Sequence, residues 1–81
     1  MSDRATIDGV VTLMQEDRFR VETRDGRGAL FTLSREANVG VPDLERIVGT
    51  GEAVRVSYLG EPDVGATAVR IERTEKAGAS R

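Results

Sequence analysis

Arg18-Phe19-Arg20-Val21-Glu22-Thr23-Arg24-Asp25-Gly26-Arg27-Gly28-Ala29-Leu30-Phe31-Thr32-Leu33-Ser34 decides the fold class of this 81-residue chain. Its first half alternates strictly, with Phe19, Val21 and Thr23 on one side and Arg18, Arg20, Glu22 and Arg24 on the other. A period of two sends successive side chains to opposite faces of a strand, so one face seeks a core and the other water. Asp25-Gly26 then signals a hairpin turn, because glycine takes the positive φ that such turns demand. A further strand runs from Ala29 to Ser34, with Phe31 and Leu33 inward and Leu30 and Thr32 outward. Two strands alone do not bury an apolar face, so the hairpin requires a larger sheet.

Working outward, Ile7 to Met14 reads as a preceding strand with Ile7, Gly9, Val11 and Leu13 on one face. A glycine inside a strand points to a bulge or sharp bend, as at the corner of a small barrel. Gln15-Glu16-Asp17 supplies the turn into the hairpin. After Ser34 the period changes: Val41, Leu44, Ile47 and Val48 recur at helical spacing. Pro42 suits the first helical turn, Asp43 and Glu45 suit the positive end of the helix dipole, and Gly49 suits the stop. At about two turns, this helix depends on packing rather than propensity. Ala53 to Leu59 is a fourth strand, with Val54, Val56 and Tyr58 on one face and Arg55, Ser57 and Leu59 on the other. Gly60 to Gly65 forms a loop. Ala66 to Arg73 is a fifth strand, with Thr67, Val69 and Ile71 opposed to Ala68, Arg70 and Glu72.

Three strands, a helix and two strands predict an all-β fold: a small five-stranded OB-fold-like barrel with one short helix between strands three and four. An SH3-like barrel is the competing architecture, and its helix would be a single 3₁₀ turn placed later in the chain. Residues 1–5 are expected to be a flexible N-terminus, 6–73 the barrel, and 74–81 a disordered tail.

The pattern Ile7-x-Gly9-x-Val11, Phe19-Arg20-Val21-Glu22, Asp25-Gly26 and Leu30-x-x-Leu33-Ser34 resembles bacterial translation initiation factor 1 and related RNA-binding OB domains. Gly51-Glu52-x-Val54-x-Val56, Gly65 and Arg70-Ile71 continue the resemblance, which spans roughly residues 5 to 73. It implies a small bacterial OB-fold protein with an RNA ligand. In that family the stretch between strands three and four is basic and touches ribosomal RNA. Here Arg35 to Gly51 carries Arg35 and Arg46 against Glu36, Asp43 and Glu45, and Thr32 stands near the end of strand three where relatives place an imidazole.

Composition removes whole classes of chemistry. There is no cysteine and no histidine among the 81 residues, so disulfides, thiolate metal sites and imidazole bases are excluded. Ser34 and Ser57 lack an activating histidine, and a Ser-Lys pair would need Lys76 in the tail. Glu61 and Asp63 fall short of the ligand set that Ca²⁺ requires. Gly26-x-Gly28 is followed by a strand rather than a helix, so it is a turn and not a phosphate loop. No catalytic residue, metal or cofactor is expected. The polar start Met1-Ser2-Asp3-Arg4 has no apolar signal core, and no apolar run approaches the ~20 residues of a membrane span. A cytoplasmic monomer is the expectation.

Net charge is −2, yet Arg18 to Arg35 alone carries five arginines against two acids. The expected function is therefore a non-enzymatic binding module for RNA or single-stranded DNA. Arg18, Arg20, Arg24 and Arg27 are its candidate phosphate contacts, with Thr32 and Tyr58 beside the groove. Phe19, Phe31 and Tyr58, the only aromatics, all point inward by alternation and so provide no stacking platform. The alternative is a protein-interaction or structural module, with Leu30 and Leu59 as outward apolar contacts.

Overall fold

A computed structural model describes residues 5–61 and 65–74. Residues 1–4, Pro62, Asp63, Val64 and the tail from residue 75 lie outside that description, so the expectations for both termini and for Asp63 fall there in whole or part. The elements are β1 (Ala5–Gln15), β2 (Arg18–Glu22), β3 (Gly28–Leu33), α1 (Val41–Thr50), β4 (Ala53–Leu59) and β5 (Ala66–Arg73). The strands close a barrel in the order β1-β2-β3-β5-β4, with β1 pairing β4 to complete the ring. Among the described strand pairs, β3 and β5 alone run parallel. A ten-residue helix between β3 and β4 is the expected placement and is compatible with an OB-like barrel.

Closure depends on β1, which serves two neighbours. Ala5 to Val10 pair with β4, and Val10 to Gln15 pair with β2, so the strand bends from one half of the barrel into the other. Gly9 sits at that bend. A Cβ there would run into the Glu22 carbonyl oxygen and lie 2.8 Å from Val21 Cγ1. Glycine is needed for the close approach of two backbones, not for an unusual φ.

The bulge itself comes later. The register shifts between Val11 and Leu13, leaving Thr12 as the extra residue. Beyond it the inward face changes phase: Val11 is buried, but Leu13 is 55% exposed, and the half-buried Met14 packs against the core instead. The expectation that Leu13 shares the inner face is thereby corrected, because an extra residue reverses every later side chain. β5 repeats the device. Ser57 pairs Arg70 while Tyr58 pairs Ala68, so Val69 is skipped. Ala66, Ala68 and Ile71 are buried and Thr67 is exposed, which corrects the expected grouping of Thr67 with Ile71.

The core is a single cluster, with Phe19, Phe31, Val21, Val54, Val56 and Leu44 as its largest fully buried side chains. Phe19 stacks on Phe31 at 5.5 Å between ring centroids, and Phe31 meets Tyr58 at 5.2 Å. Helix α1 contributes Leu44, its one fully buried side chain. Asp43 accepts a hydrogen bond from the Gly40 N–H at 3.0 Å, which closes the helix start. The helix ends later than expected, at Gly51 rather than Gly49: Gly51 takes φ +71° and donates its N–H to the Ile47 carbonyl. Asn38, in the connection before α1, acts as a substitute strand residue. Its Nδ2 donates to the Ile71 carbonyl and its Oδ1 accepts the Ile71 N–H, both at 2.8 Å.

Candidate nucleic-acid interface

The outer surface of β1, β2 and β3 is where Arg18, Arg20, Leu30 and Thr32 meet. Cross-strand register arranges it in rows. Leu13, Arg20 and Leu30 are direct neighbours across the three strands, and Gln15, Arg18 and Thr32 form the next row. That second row continues through Thr67 of β5 to Leu59 of β4. A groove of about 130 Å³ runs along the face, lined by Leu13, Gln15, Arg18, Phe19, Arg20 and Leu30.

Arg18, Arg20, Thr32 and Leu30 therefore lie together, as their alternation implied. Arg24 and Arg27 do not join them closely. They stand at the far end of the hairpin, beyond a β2 that spans roughly 13 Å at 3.3 Å per residue. The hairpin end is a three-residue loop, Arg24-Asp25-Gly26, closed by the Thr23 N–H to the Arg27 carbonyl at 2.8 Å. Gly26 takes φ +91° and Asp25 keeps a negative φ, so this is not the two-residue turn that Asp-Gly suggests. Leu59 is separated from Leu30 by β5 and falls in the row of Thr32, whereas Leu13 shares the row of Leu30 on the other side of Arg20.

Tyr58 lies elsewhere. It is half-buried against Phe31 at the barrel mouth, where a cavity of about 390 Å³ is lined by Ile7, Ala29, Tyr58 and the hairpin residues Thr23, Asp25, Arg27 and Gly28. It neighbours Arg27 rather than Arg18. A second groove, about 280 Å³, separates α1 from β5, with the Asp43–Arg46 and Glu52–Arg73 ion pairs at its rim.

Charge pairing divides the arginines. Among the described residues, Arg20 lies 3.6 Å from Glu22, Arg27 3.5 Å from Asp25, and Arg55 2.8 Å from Asp8. Arg46, Arg70 and Arg73 are likewise paired. Arg18, Arg24 and Arg35 have no described carboxylate within ion-pair range. The Thr23 hydroxyl donates to the Asp25 carboxylate and holds it below its ordinary pKa, with the Arg27 backbone and guanidinium adding to the effect. The hairpin end thus carries both signs at neutral pH. Asp8 is lowered by the Arg55 guanidinium, first through its hydrogen bond and then through its charge. Such exposed pairs are worth little individually, yet each cancels a cation that a phosphate would otherwise meet.

Ser34 is occupied as a local acceptor for the Glu36 N–H, and no group of His, Cys, Asp or Glu able to hold a metal occurs among the described residues. None of the described helices is long and apolar enough to cross a membrane. Alternation missed Leu13 and Gln15, although the adjacent apolar pair Leu13-Met14 carried a signal: in one strand, one of the two must face outward. Comparison with family models, with curated proteins and with solved structures returned no match. The likeness to translation initiation factor 1 consequently extends to a small closed barrel compatible with an OB-like module and no further.

Proposed function

We propose that this protein is a non-enzymatic binding module that takes RNA or single-stranded DNA across the outer face of β1, β2 and β3. One observation carries the reading. β2 turns Phe19 and Val21 into the core and Arg18 and Arg20 out, on a grooved face where Arg18 has no described carboxylate to neutralise it. A flexible polyanion crossing that face would meet Arg18 first, then Arg20, with Arg24 and Arg27 at the far end of the hairpin. Thr32 offers a hydroxyl beside Arg18. Contact with two or three phosphates predicts a log–log salt slope of about −1.5 to −2.

Fluorescence anisotropy of a labelled 12-nucleotide single strand, at about 50 and 200 mM salt, tests this. The expected result is roughly a tenfold loss of affinity between the two conditions. Arg18→Glu with Arg24→Glu should abolish binding while leaving the fold intact by circular dichroism. Absence of any salt-sensitive affinity tighter than about 100 μM, a weak limit even for nonspecific binding, sinks the reading.

A protein-contact role is the second reading, favoured by the two leucines that flank Arg20, Leu13 at 55% and Leu30 at 56% exposure. A partner captured with equal yield before and after nuclease treatment, and lost on Leu13→Ser with Leu30→Ser, would select it.

A further inference from the structure

The face just described lacks aromatic side chains, but it holds a flat group in their place. A Cβ added to Gly28 would collide with the Arg20 guanidinium, whose Nη2 and Cζ are nearest and whose Nε lies at 2.7 Å. The central carbon lies nearer that point than Nε does. An edge-on guanidinium would hold two nitrogens in front of the carbon, so the plane lies face-down on the Gly28 backbone. Glu22, on the same outer face of β2 and paired with Gly28 across the strands, holds Nη2 at 3.6 Å. Leu13 and Leu30 stand on either side of Arg20 in the same row. The Arg20 side chain remains 42% exposed, and with its underside against Gly28 the open part is the opposite, solvent-facing plane.

We propose that Arg20 is the base-stacking platform of this module: its guanidinium, laid over Gly28 one row from Leu30 on the same face of β3, receives the face of one unpaired nucleobase. The proposal rests on the nucleic-acid reading above and deepens it. Guanidinium planes stack on bases as aromatic rings do, and Leu30, two residues from Gly28 on the same outer face, offers apolar surface beside a stacked base. Gly28 has an unremarkable φ, so the turn alone does not require a glycine there; the platform does. Arg20 is thereby assigned to the base, and Arg18, unpaired among the described residues, to the backbone phosphate.

The test compares an oligodeoxyadenylate 12-mer with an abasic strand of the same length, both by anisotropy in about 50 mM salt, and places 2-aminopurine in the first as a stacking reporter. The intact strand should bind at least about fivefold more tightly than the abasic one, the lower end of what one stacked base contributes. Arg20→Lys, which keeps the charge and loses the plane, should remove that difference and the change in 2-aminopurine fluorescence on binding. Gly28→Ala, which lifts the guanidinium, should do the same, and Arg18→Lys should not. Base-independent binding by the wild type, or a base-dependent component untouched by Arg20→Lys and Gly28→Ala, overturns the platform and leaves the nucleic-acid reading standing. No salt-sensitive binding of either strand overturns both.

Discussion

Gly9 and Gly28 offer one substitution with two opposite outcomes. Neither has a positive φ, so alanine meets no backbone strain at either, and reduced freedom in the unfolded chain favours alanine by about 0.4–1 kcal/mol at both. What the new methyl touches decides the sign. At Gly9 it meets the Glu22 carbonyl oxygen, with Val21 Cγ1 at 2.8 Å and the Glu22 carbonyl carbon at 2.9 Å. Val21 is fully buried and Glu22 is locked in register with Val10, so neither can turn aside. β1 must move off β2 at the point where it bends toward β4. Forced overpacking costs about 1–3 kcal/mol, and a backbone obstacle places this case in the upper part of that range. The net expectation is about 2 kcal/mol of destabilisation, or roughly 8–16 °C in Tm for a domain of this size. At Gly28 the obstacle is the end of the flexible Arg20 side chain, which swings into water, so Gly28→Ala should stay within about 0.5 kcal/mol of wild type. Thermal circular dichroism and urea titration of both variants measure the contrast. A Gly9→Ala protein melting within 2 °C of wild type on the order of measurement error, or a Gly28→Ala protein losing as much as Gly9→Ala, would refute the close-approach account of β1.

Three further outcomes are expected. Asn38→Ala removes both hydrogen bonds to Ile71 and should cost about 1–2 kcal/mol by urea denaturation, with faster hydrogen exchange at the Ile71 amide as its local signature. Leu44→Ala empties the position that seats α1 on the barrel and should cost about 2–5 kcal/mol, with loss of helical signal before the barrel melts. In pH, Asp8, Asp25 and Asp43 are all lowered from 3.8 by their hydrogen-bonding partners, Arg55, Thr23 and the Gly40 N–H respectively. A carboxylate lowered in the folded state stabilises it above the unfolded pKa and loses that contribution as pH falls through the folded value. With no histidine in the chain, the urea midpoint should be level from pH 7 to about 5 and fall below about pH 4. An Asp8 carboxyl titrating at or above 3.8 by NMR would contradict the Arg55 pairing.

The fold was legible because its signals are local. Strict alternation in Arg18 to Arg24 predicts Phe19 and Val21 inside and Arg18 and Arg20 outside, and the change of period at Val41 predicts α1 between β3 and β4. Leu30 likewise faces outward as its position implies. The two wrongly assigned strand faces share one cause. Leu13 and Thr67 were each assigned a face by counting in twos, and each lies in a strand whose count a single unpaired residue, Thr12 or Val69, interrupts. A bulge is a relation between two strands, so the residues of one strand alone do not announce it.

By itself the sequence determined the identity of the strands, the inward path of every aromatic and the absence of thiol or imidazole chemistry, because each follows from residue type and spacing along the chain. Tertiary structure alone decided which outward residues become neighbours. It set Leu13 beside Arg20, kept Leu59 away from Leu30, drew Tyr58 to the barrel mouth and laid the Arg20 plane over Gly28. The reason is register: a surface site is built across strands, by hydrogen bonds between segments distant in sequence, and pairing one residue earlier or later would assemble a different site from the same amino acids.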